Sequence, residues 1–139
     1  MPCSDYTELL KVVIGHDDSL LRFGLKKQSC GQTIGGALLH PFVQGKSSSE
    51  LLRSRIRELV PDFDVRDGQE QFLLLKQFYS IRAALQVFLG ETSGSKDEAF
   101  VLEKVDYDAE GAAIYGIVRV EMVAKDMEAC EGCGCSIKK

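Results

Sequence analysis

A chain of 139 residues with a hydrophobic fraction of 45% is long enough, and apolar enough, for one domain with its own core. No apolar run approaches the roughly 20 residues that a membrane helix needs, and the opening MPCSDYTELL has neither the basic start nor the apolar core of a secretory signal, so the expectation is a soluble cytoplasmic protein that does not engage a membrane. The formal net charge is −4, and the one dense basic stretch, RSRIRELV, alternates with apolar residues; this argues for a solvated helix face and against nucleic acid as a partner.

The segment 7–15, TELLKVVIG, is rich in β-branched and apolar residues, and HDDS after it is a turn. In 20–28, Leu21, Phe23 and Leu25 alternate with Arg22 and Lys26, the period of two of a half-buried strand. The two together predict a β-hairpin. Ile34, Leu38 and Phe42 recur every four residues and predict a short helix over about 32–44, with Pro41 kinking it or ending it early and Gly45 as its stop. KSSSELLRSRIRELVP carries a capping box, Ser47 with Glu50, then a stripe of Leu52, Ile56 and Leu59, and Pro61 closes that helix. DFDVRDG is a loop. The strongest helical pattern runs over 68–89, where Leu74, Phe78, Ile81, Leu85 and Phe88 fall at helical spacing and Gly90 ends it. Two strands, about 99–106 and 112–123, flank a DAEG turn. The order is two strands, three helices, two strands. It predicts a two-layer α+β domain in which both hairpins join one antiparallel sheet with three helices on one face. That domain spans 1–125, with a cysteine-rich tail over 126–139.

Five cysteines without a secretory signal favour metal-binding or redox thiolates over disulfides. Cys3 precedes the first strand, with Asp5 as an oxygen donor beside it. Cys30 lies where the second strand hands over to a helix, a position that favours thiolate. Antiparallel pairing of the first two strands carries Cys3 and Cys30 to the same end of the sheet. Cys130, Cys133 and Cys135 have C-x₂-C-x-C spacing, short enough for their sulfurs to converge on one metal, with glycines that let the backbone wrap. Zinc takes four ligands and the tail offers three thiolates, so a further donor must complete that set. His16 falls in the hairpin turn and is expected in solvent. His40 is an imidazole near the first helix, although most histidines are not metal ligands. The glycines of GQTIGG fit no phosphate-binding loop, and two histidines in these contexts build no Ser-His-Asp triad.

Cys3-Ser4-Asp5 before a hairpin, Ser29-Cys30-Gly31 opening a helix, and Gly45-Lys46-Ser47 leading into the next helix resemble, in order and spacing, the iron–sulfur cluster assembly scaffold family of the IscU and NifU N-terminal type. The resemblance covers roughly residues 2–89. It implies a scaffold or carrier rather than an enzyme, with an iron–sulfur cluster held by Cys3 and Cys30 and by Asp5 as a labilising or alternate oxygen ligand. It also implies a cysteine desulfurase and acceptor apo-proteins as partners, and leaves a homo-oligomer open. The family's third cysteine begins its last helix; here Phe78 or a neighbour stands at the matching place, and the family's Leu-Pro-Pro-Val-Lys segment is missing. One or more of Cys130, Cys133 and Cys135 is therefore expected to supply the missing thiolate. The alternatives are a zinc-binding interaction module on the same fold and, behind it, a thiol redox protein using Cys30, for which no base is apparent.

Overall fold

The computed structural model describes residues 7–27, 38–91 and 99–119. Strands β1 (Thr7–Gly15) and β2 (Leu20–Lys27) form the first hairpin, and β3 (Phe100–Tyr107) and β4 (Gly111–Arg119) the second. Between them lie α1 (His40–Val43), α2 (Ser48–Arg53), α3 (Ile56–Leu59), a 3₁₀ turn at Phe63–Val65, and the long α4 (Gly68–Phe88). The hairpins join through their inner strands into one antiparallel sheet of order β2-β1-β4-β3. This is the two-layer α+β arrangement that the element order predicts.

The core follows from strand parity. Leu10, Val12 and Ile14 of β1, Phe23 and Leu25 of β2, Ile114 and Val118 of β4 and Phe100 of β3 are buried in one cluster with Leu74, Phe78, Ile81 and Leu85 of α4. Phe88, the last residue of the expected stripe, is half-buried against the cluster's edge. Gly116 has a reason to be glycine: a Cβ there would run into the ring of Phe100 from the neighbouring strand. The hairpin tips are fastened by short polar side chains. Asp18 takes a positive φ of 68°, and Asp108 Oδ1 accepts from the amides of Glu110 at 2.8 Å and Gly111 at 3.2 Å. Arg22 donates two hydrogen bonds to the Glu110 carboxylate, at 2.6 and 3.0 Å, linking β2 to the β3–β4 turn. That guanidinium holds the Glu110 carboxyl below its ordinary value. The pair's small, solvent-screened contribution is present above the unfolded carboxylate pKa and fades as pH falls through the folded one.

Four expectations change. Pairing slips between Val13 and Ile14, so that Leu21 is an extra residue in β2 and Leu20, not Leu21, enters the core. Pro41 does not end α1 but sits in its first turn, where a missing amide costs no hydrogen bond; the segment 32–37 of the expected helix lies outside the described residues. The single helix expected up to Pro61 is two. Ser47 caps the first as predicted, its Oγ accepting from the Glu50 amide at 3.1 Å. Ser54 then turns extended at ψ 154° while its Oγ donates to the Glu50 carbonyl at 2.7 Å, and the Glu58 carboxylate accepts from the Arg55 amide at 2.6 Å to start the second. The break resets the helical phase, so Leu51 is buried and Leu52 only half-buried. Finally, the DFDVRDG loop contributes a core residue, Phe63, on its 3₁₀ turn.

Among the described residues no helix is long and apolar enough to cross a membrane. Phe78 is 1% exposed at the centre of the helix–sheet contact. Phe78→Ala should lower unfolding free energy by about 3–5 kcal/mol, the usual cost of emptying a buried Phe site, with the midpoint of a urea melt as the readout.

Candidate functional site at one end of the sheet

The strand registers bring three chain segments to one end of the sheet. Glu8 of β1 pairs with Lys27 of β2, and Thr7 of β1 pairs with Arg119 of β4. The start of β1, the end of β2 and the end of β4 are thus consecutive neighbours, each about 4.8 Å from the next. The chain continues from these three points towards Cys3 and Asp5, towards Cys30, and towards Cys130, Cys133 and Cys135. Those six residues themselves lie outside the described residues. The other ends of the same strands meet at the hairpin tips. Gly45-Lys46-Ser47 is fastened there, its Gly45 amide bonding to the Leu20 carbonyl and the Leu20 amide to the Lys46 carbonyl, both at 2.8 Å. The third motif of the family resemblance therefore stands at the opposite end of the sheet from the segments that lead to the cysteines.

Beneath the shared end lies a buried ion pair. Glu8 sits on the same face of β1 as Leu10, Val12 and Ile14, and the ammonium of Lys76 on α4 reaches its Oε2 at 3.0 Å. The two side chains are 2% and 3% exposed. Burying both charges is costly unless they are paired, so this contact fixes where α4 crosses the start of β1. Reading the sequence by residue type missed the pair, although a signal was present: the alternation of β1 puts Glu8 on the core face. Gln77, next to Lys76 and fully buried, accepts from the Leu39 amide at 2.9 Å and anchors the approach to α1.

The histidines take no part in this end. His16, exposed in the first turn, hydrogen-bonds through Nε2 to the Ala109 carbonyl at 2.8 Å. His40 is half-buried and stacks on Phe23, with ring centroids 5.9 Å apart and planes inclined at 27°. Among the described residues, no group of three or more His, Cys, Asp or Glu side chains could hold a metal ion.

No protein-family model matches the chain, and no curated protein or solved structure matches it.

Lys76→Met removes the ammonium from the buried Glu8 carboxylate and should cost about 3–5 kcal/mol in a chemical melt. Adding Glu8→Gln to that variant should restore part of the loss, and the double-mutant cycle reads the coupling between the two positions.

Proposed function

We propose that this protein assembles or carries an iron–sulfur cluster, held as cargo by cysteine thiolates, rather than turning over a substrate. The observation that supports this reading is the common end of β1, β2 and β4, from which every thiol-bearing segment departs. Tether lengths make the point quantitative. Cys3 stands four residues before Thr7, Cys30 three after Lys27 and Cys130 eleven after Arg119. At a maximum of about 3.3–3.6 Å per residue these tethers reach roughly 10–14 Å for the first two and some 35–40 Å for the third. Their roots are only one or two strand spacings apart, roughly 5–10 Å. Thiolates from all three segments can therefore meet at one cluster without rearranging the sheet. On this reading Cys3 and Cys30 are ligands, Asp5 is an oxygen donor that keeps the cargo exchangeable, and the tail contributes the remaining thiolate. A cysteine desulfurase as sulfur source and acceptor apo-proteins as recipients are the partners such a role requires.

Protein purified without oxygen should be brown and contain iron with acid-labile sulfide, and Cys3→Ser or Cys30→Ser should abolish both. Colourless protein with one zinc would instead mean that the same end is a zinc-binding interaction module. Removing residues 130–139 should weaken metal affinity at the Cys3–Cys30 site by roughly tenfold or more in a chelator competition, because a thiolate ligand is lost. Unchanged affinity would take the tail out of the site.

A further inference from the structure

The sheet has a second face, set by the residues that alternate with the core positions. On β1 these are Leu9, Lys11 and Val13. Lys11 pairs directly with Gly24 of β2 and Tyr115 of β4, and Leu9 pairs with Lys26 of β2. These six residues line a groove of about 540 Å³. That volume lies within the range of roughly 300–1,000 Å³ typical of small-molecule sites, which are mostly apolar with a few placed polar groups. Here Leu9, Val13 and the Tyr115 ring supply the apolar surface; Lys11, Lys26 and Arg22 supply positive charge and Glu103 one negative charge, so the lining is net cationic.

Among the described residues, nothing explains Gly24. It sits in the middle of β2, where glycine weakens a strand. Its φ is not positive, and a Cβ added to it would have no described atom within 4 Å, so neither backbone conformation nor close packing calls for glycine. Gly116 is the contrast, because Phe100 occupies the space of its missing side chain. With no bulge and no bend at this position, a strand glycine of this kind is often a place where a ligand or another backbone comes close.

The charges point to what that something is. In a protein of net charge −4, Lys11 and Lys26 form no ion pair with any described carboxylate. They occupy diagonal positions on adjacent strands, about 7–8 Å apart at their bases, so both ammoniums can reach one anionic group. The Lys11 ammonium already lies 5.5 Å from the Tyr115 ring centroid, over the groove wall.

We infer that the groove binds a small anionic amphiphile, with its apolar body over Gly24 against Leu9, Val13 and Tyr115 and its carboxylate or equivalent anion between Lys11 and Lys26. The residues that line it all belong to the described strands. Gly24 sets the depth of the groove, and the lysines select charge over mere hydrophobicity.

The test is calorimetric titration of the full chain with decanoate, with uncharged decanol and with an acidic peptide. Decanoate should saturate one-to-one and bind at least about tenfold more tightly than decanol. Gly24→Leu, which fills open space, should weaken decanoate at least about tenfold while the melting temperature holds or rises. The pair Lys11→Gln with Lys26→Gln should bring decanoate to the level of decanol. Absence of saturable decanoate binding, equal binding of decanol, or preference for the acidic peptide would each overturn the assignment. So would decanoate affinity left unchanged in the folded Gly24→Leu protein.

Discussion

The architecture depends on the pairing of β1 with β4. This nine-residue antiparallel register, from Thr7 with Arg119 to Gly15 with Gly111, joins two hairpins that are otherwise local structures. A lone two-stranded hairpin is marginal in water, and neither would bury its apolar face alone. Once joined, they give α4 a four-stranded floor wide enough to cover Phe78, Leu74 and Leu85. The same register decides which chain segments become neighbours at each end of the sheet, so the candidate thiol end is a consequence of topology rather than of any local motif.

Much of this was legible because the relevant signals are short-range. A run of β-branched and apolar residues located β1, alternation located β2 to within a residue, and the stripe of Leu74, Phe78, Ile81 and Leu85 identified α4 with its stop at Gly90. What escaped depended on competing hydrogen bonds or on distant partners. The break at Ser54 is invisible to periodicity, because Ile56 and Leu59 continue an apparent stripe across it. Only the second acidic residue at capping distance, Glu58 after Arg55, hints at a restart. The extra residue Leu21 shifts parity without changing composition. The order of the four strands could not be derived, since it rests on a contact between the two ends of the chain. The candidate ligands Cys3, Asp5, Cys30, Cys130, Cys133 and Cys135 were legible by chemistry alone. The buried partnership of Glu8 and Lys76 is not legible from apolar parity, because it joins two charged residues 68 positions apart in the chain.

The sheet divides its work between its faces and its edges. One face is filled by helices and holds the buried Lys76–Glu8 contact where α4 meets the start of β1. The other carries charge among its apolar residues. At the β3 edge the register slip between Leu102 and Lys104 leaves Glu103 as an extra residue, and Lys104 and Asp106 follow as an exposed pair at 3.3 Å. A bulge and charges are the usual means of discouraging an edge strand from recruiting another chain.

The inner register also has a temporal meaning. During synthesis β1 emerges first and must wait for β4, encoded at the far side of the helices, before its second edge is covered. Sheets closed by such sequence-distant contacts fold slowly, because the chain between the partners must be ordered before the pairing rewards it. In that interval the apolar strand TELLKVVIG has β2 on one side and an open ladder on the other, a state in which nascent chains are prone to aggregate. Of the four described strands, the last to leave the ribosome is thus the one that protects the first, and the shared end of β1, β2 and β4 is complete only after translation has passed Arg119. Pulsed hydrogen exchange on refolding protein would reveal this order as late protection of the β1 and β4 amides relative to those of α4.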